Sequence, residues 1–153
     1  MEFSPASLFE LLHRATQASA VAYTAQYTGD TGLTLSQFFV LSAIEKNDGA
    51  SQTALVAASG IDRSTLSGIL DRMQKQGYVT RKRVRTDARI YAVKITEGGR
   101  RQLDAARKAV EAAERTVARS IPPQKLSELQ RNLQSIVDSA SYLKHNDDVK
   151  ARL

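Results

Sequence analysis

The sequence contains no cysteine and only two histidines, His13 and His145. The first absence excludes a disulfide framework, a thiolate metal site, a cysteine nucleophile and a thiol redox sensor. With two histidines and no thiol, a zinc site would need an unusual carboxylate-rich ligand set. No apolar run approaches the roughly 18 residues of a membrane span, and the start Met1-Glu2-Phe3-Ser4-Pro5 lacks the basic and apolar segments of a signal peptide. No glycine loop that cradles phosphate and no dinucleotide fingerprint occurs. Ser141-Tyr142-Leu143-Lys144 has a serine–lysine spacing without its companion motifs, and reads as a solvated helical turn. Neither an enzyme, a metal or cofactor site, nor a membrane partner is expected, and the cytoplasm is the expected location.

What is present is ordinary globular composition with unevenly placed charge. At 153 residues, 42% hydrophobic and 25% charged, the chain is expected to fold as a single domain over 1–153. Its net charge is +6, yet residues 60–102 hold eleven Lys/Arg against four Asp/Glu, a balance of +7, and the remainder is close to neutral at −1. A surplus confined to one stretch points to a polyanion site in mid-chain rather than to a generally basic surface.

The element order sharpens that reading. Ser4-Pro5 is a helix start, and Leu8, Leu11, Leu12, Ala15, Ala18 and Ala22 recur at helical spacing to about Tyr27. Thr34 to Gln37 fits a capping box, with Leu33 and Phe38 as a hydrophobic staple, opening a helix that stops at Asn47-Asp48-Gly49. Ser51 caps a short helix ended by Gly60, and Asp62 caps the next, whose apolar stripe is Leu66, Ile69, Leu70 and Met73 and whose end is Gly77. Two strands, 78–84 and 90–95, flank a charged hairpin tip at 85–89. Thr96 then caps a fifth helix, and Pro122-Pro123 breaks it and starts a sixth, with Leu126, Leu129, Leu133, Ile136, Ala140 and Leu143 in 3-4 alternation.

Two helices joined by a short turn containing glycine, followed by a basic hairpin, describe a mainly α winged helix-turn-helix with a small β-hairpin wing. The major groove admits one α-helix and is read by side chains near its N-terminus, here Arg63, Ser64, Thr65 and Ser67. Arginine takes guanine O6 and N7 in two bonds, and the hydroxyls reach base edges or phosphates. The wing tip suits a narrow minor groove, which attracts arginine: Arg89 is the candidate, with Asp87 placed to fix the turn or to orient the guanidinium. Arg81, Lys82, Arg83 and Arg85 are read as phosphate contacts, which set affinity rather than specificity.

These residues also resemble a known family. Asp62-Arg63-Ser64-Thr65-Leu66 through Asp71-Arg72-Met73 and Gly77-Tyr78-Val79 resembles the recognition helix of MarR-type transcriptional regulators. Thr86-Asp87-Ala88-Arg89, followed by Val93 to Arg100, resembles their wing and its exit, and Leu33 to Phe38 the start of their second helix. The chain departs from the pattern at Ala88, where the family often has arginine, and at Gly68, where a larger polar reader is common. The resemblance implies a lobe at about 33–96, with N- and C-terminal dimerisation helices at about 4–28 and 97–145. It also implies a homodimer on a pseudo-palindromic operator of double-stranded DNA, and it adds Arg72 and Thr86 to the expected DNA contacts. The long stripe of the sixth helix independently supports a dimer.

The resemblance further implies a repressor released by a small aromatic acid or phenolic effector. The missing cysteine leaves a bound molecule, not a thiol, as the signal. Element order places Phe9, His13, Arg14, Phe38 and Phe39 near the expected pocket, His13 or Arg14 to pair with a carboxylate and the rings to stack. The alternative is a DNA-binding architectural or partner-controlled protein without an effector.

Overall fold

The computed structural model describes residues 7–27, 32–84 and 87–150; at 84, 87–90 and 140–150 it describes backbone alone. Two compact units divide the chain, 1–114 and 115–153. The first contains α1 (Leu8–Gln26), α2 (Leu35–Lys46), β1 (Ala50–Ser51), α3 (Gln52–Ser59), α4 (Arg63–Lys75), β2 (Val79–Val84), β3 (Asp87–Ile95) and most of α5 (Glu97–Ala118). The second holds the end of α5 and α6 (Pro123–Lys150).

Local chemistry sets most helix starts. Thr34 and Gln37 form the complete capping box of α2, the Thr34 hydroxyl accepting from the Gln37 N–H and the Gln37 side chain from the Thr34 N–H. Ser51 accepts from the Ala54 N–H at α3 and Asp62 from the Thr65 N–H at α4. Gly60 closes α3 at φ +69°, a left-handed conformation costly for any residue with a Cβ. α1 begins one turn later than its proline suggested: Ser7 is the cap, accepting from the Glu10 N–H, and Ser4-Pro5 lies outside the described residues.

The expected hairpin is present as β2 and β3, and a short strand not read from the sequence, β1, joins its sheet. The sheet has three antiparallel strands in the order β1-β3-β2, with Ala50 paired to Val93, Ser51 to Ala92, and Val79 to Ile95. β3 also starts at Asp87 rather than at Ile90, because the ladder continues past an irregularity at Arg83/Val84 to pair Val84 with Asp87. The expected loop is thereby shortened, and Arg85 and Thr86 lie outside the described residues.

One apolar cluster joins these elements. The α4 stripe, Leu66, Ile69, Leu70 and Met73, is buried with Val40, Leu41 and Ile44 of α2, Leu55 of α3, Val79 and Val93 of the sheet, and Leu103 of α5. Burial of such side chains contributes about 1.5–3 kcal/mol each and fixes α4 with its opposite face outward. Thr96 ties the lobe to α5: its hydroxyl donates to the Gly77 carbonyl at 2.6 Å and accepts from the Gly99 N–H at 3.0 Å. A Cβ on Gly99 would overlap the Tyr78 carbonyl, so only glycine lets α5 start this close to β2. Glu45 on α2 bonds Arg107 and lies 3.8 Å from Arg100, a second link between lobe and α5. In the second unit, α6 exposes Leu129, Leu133 and Ile136.

Candidate nucleic-acid interface

With the apolar stripe of α4 in the core, Arg63, Ser64, Thr65, Asp71 and Arg72 are exposed and Ser67 and Gly68 are half-buried. The first turn is held by its cap and by two hydrogen bonds with α3. Hydrogen bonds from the Thr65 hydroxyl and N–H hold the Asp62 carboxyl below the usual carboxylate range, so Thr65 is already engaged in the cap. Arg63 donates from one terminal nitrogen to the Thr53 hydroxyl at 2.8 Å, and the Gln52 amide donates to the Arg63 carbonyl at 3.3 Å. Ser64 and Ser67 complete the polar N-terminal half, which also carries the partial positive end of the helix dipole.

The Arg72 guanidinium lies 3.9 Å from where a Cβ at position 68 would stand. Gly68 thus leaves space on the outer face that Arg72, one turn on, reaches into.

β2 lies alongside α4. Arg81, expected among the phosphate contacts, is turned inward: one terminal nitrogen is 2.8 Å from the Asp71 carboxylate and the other donates to the Ser67 carbonyl at 3.4 Å. Its Nε is buried with no partner. Arg83, next on the same face, stays exposed and is held from the neighbouring strand. Its Nε donates to the Tyr91 hydroxyl at 3.1 Å, with the guanidinium carbon 5.7 Å from the ring centre. Tyr91 was not among the expected site residues; its cross-strand pairing with Arg83 was hidden until the register was known. Asp87 and Arg89 sit on the backbone of β3, and their side chains lie outside the description.

Of the residues expected to line an effector pocket, the structure brings Phe38 and Phe39 together and leaves the three α1 residues on the helix surface. Phe9 is 83% exposed, His13 is exposed, and Arg14 is exposed and pairs with Glu10 of its own helix at 3.6 Å. Phe38 is buried in the core, edge-on to a half-exposed Phe39 with ring centres 5.5 Å apart. What α1 does bring against α5 is a different set. The Tyr27 hydroxyl donates to the Gln102 side chain at 3.1 Å, with Tyr23 one turn earlier and ring centres 5.7 Å apart. Tyr23 is 2% exposed and its hydroxyl has no hydrogen-bond partner. Burial, and secondarily the Tyr27 phenol, push its pKa up to about 12. An i, i+4 tyrosine pair was the available signal for this set.

Among the described residues no group of three or more His, Asp or Glu could hold a metal, and no helix is long and apolar enough to cross a membrane.

A buried-stripe recognition helix, a preceding helix locked to its first turn, and a basic β2–β3 wing in a three-stranded sheet define a winged helix-turn-helix. Residues 31–90 match the MarR family model. The repressor NicR of Pseudomonas putida is 33% identical over 95 residues, 62% of this chain and 60% of NicR's own length. A MarR-family transcriptional regulator from Rhodococcus sp. RHA1 is 30% identical, with 88% of this chain and 96% of that one covered and a TM-score of 0.72. BpsR of Bordetella bronchiseptica, whose DNA binding is regulated by 6-hydroxynicotinic acid, is 26% identical over 84% of this chain and 97% of its own, with a TM-score of 0.74. The chain belongs to the MarR family of transcriptional regulators, a family of regulators and not of enzymes.

Proposed function

We propose that this chain is a cytoplasmic, sequence-specific DNA-binding repressor that acts as a homodimer and is released from a pseudo-palindromic operator by a small aromatic or phenolic ligand. The observation that carries the DNA reading is the outward polar face of the α4 N-terminal half beside a basic wing, the two joined by Arg81 and Asp71. Arg63 and Ser67 address base edges, and Arg72, Arg83 and Arg89 supply phosphate or minor-groove contacts. The regulated DNA binding of BpsR supports the same reading.

Dimerisation is supported by apolar residues left on helix surfaces: Leu8 and Leu11 on α1, and Leu129, Leu133 and Ile136 on α6. A two-fold assembly would set two α4 helices about 34–36 Å apart, one helical turn of DNA.

Tyr23, Tyr27 and Gln102 support an effector site on the α1–α5 side of the lobe. A buried hydroxyl without a partner costs about 1–3 kcal/mol, and a ligand oxygen accepting from it would recover that loss. Release then requires that the ligand favour a lobe spacing unlike the one that fits successive major grooves. The test is binding of the purified protein to duplexes enriched from a random library, with and without aromatic acids. Retention of the enriched duplex at every ligand concentration would favour the reading without an effector.

A further inference from the structure

We propose that Thr53, on the helix before the recognition helix, is a positioning residue that determines base specificity by holding the Arg63 guanidinium. The proposal rests on the reading of α4 as the base-reading helix and names a residue outside it. Arg63 is the first residue of α4 and is exposed, a setting in which an arginine side chain ordinarily samples many rotamers. Here two consecutive residues of α3 grip it. The Thr53 hydroxyl accepts from the guanidinium at 2.8 Å, and the Gln52 amide bonds the Arg63 carbonyl at 3.3 Å. Backbone and side chain of the same residue are therefore both referred to the first turn of α3.

Thr53 has no evident duty of its own in α3. The cap is Ser51, which accepts from the Ala54 N–H, and a β-branched residue on an exposed helix surface is a mildly poor helix former. Its value is as a stiff peg, since branching at Cβ restricts the rotamer that places the hydroxyl. Arginine has five N–H donors; one on Thr53 leaves four, enough for a two-bond contact to guanine O6 and N7. Fixing the plane of the fork beforehand lowers the ordering cost of that contact.

The test uses the full chain and a random duplex library. The base preference at each position of the enriched site is compared for wild type, Thr53→Val, Thr53→Ser and Arg63→Ala, together with affinity for random duplex at the same salt and the melting temperature. Arg63→Ala is expected to flatten the preference at one base pair per half-site. Thr53→Val, the same shape without the hydroxyl, is expected to weaken that same preference by about five- to tenfold, with random-duplex affinity within about twofold, and Thr53→Ser to restore most of it. If Thr53→Val keeps the wild-type preference while Arg63→Ala loses it, the positioning role is overturned. Equal losses on selected and random DNA would also overturn it, making Thr53 a phosphate contact. A flat profile for the wild type, or an unchanged one for Arg63→Ala, would instead sink the reading of α4, and the positioning role with it.

Discussion

Arg81 on β2 and Asp71 on α4 form an ion pair at 2.8 Å, and the same guanidinium bonds the Ser67 carbonyl at 3.4 Å. The wing is thereby fixed to the recognition helix through a carboxylate in its C-terminal half and a carbonyl in its reading half. Asp71 remains about half exposed, 55% at its side chain, so solvent screens the charge attraction and the geometry matters more than the energy.

Substitutions at this pair are expected to act on alignment. Asp71→Asn should cost about 1 kcal/mol or less of stability, yet lower affinity for the selected duplex by about tenfold by letting the wing shift. Arg81→Lys should not rescue, because one ammonium cannot reproduce the fork that reaches both partners. Denaturation curves and duplex titrations measure the two effects. Loss of stability and affinity in strict proportion would refute an alignment role.

Tyr23→Phe is expected to stabilise the ligand-free protein by about 1 kcal/mol, since it removes a buried hydroxyl without a partner. The sign of its pH effect follows from a pKa raised from the ordinary 10 to about 12. The unfolded phenol ionises first, so this contribution is intact below pH 10 and declines as pH rises toward 12. The variant should therefore lose less stability than wild type between about pH 10 and 12, the window set by the two pKa values. If Tyr23 also anchors the effector, Tyr23→Phe should raise the ligand concentration needed for release. Thermal melts across that range and release titrations decide both points.

Gly99→Ala is expected to destabilise by about 1–3 kcal/mol or more, as overpacking against backbone does, because the new methyl would overlap the Tyr78 carbonyl. Gly68→Ala, inside α4 with the Arg72 guanidinium at 3.9 Å as its nearest neighbour, should instead stabilise by about 0.5–1 kcal/mol. Melting temperatures of the two variants side by side check the contrast.

Leu133→Asp on α6 is expected to yield monomers, Leu133 being 39% exposed within an apolar stripe on a helix whose own unit does not bury it. Sedimentation of the variant tests this. An undisturbed dimer would remove α6 from the interface.

Much of this was legible in the residues because it is locally encoded. Thr34 and Gln37 specify their capping box within four residues, Asp62 and Gly60 mark the ends of the turn between α3 and α4, and the spacing of Leu66, Ile69, Leu70 and Met73 tells which face of α4 is inward. Long-range facts were not legible. β1 is two residues long, too short to show a period of two, and exists by pairing with Val93 more than forty positions later. The inward turn of Arg81 depends on Asp71, ten positions earlier on another element, and composition alone makes it one more basic residue of the wing. Element order set Phe9 and Phe38 near one junction but said nothing about which face each occupies, and the structure exposes the first and buries the second.

The most direct test of the central claim compares affinities, at one salt concentration, for a duplex enriched by the purified protein and for a random duplex of the same length. A sequence reader built on α4 and its wing should hold the enriched site more tightly by about 10³ or more, and Arg63→Ala should reduce that ratio. Near-equal affinity of the wild type for both duplexes would contradict the account.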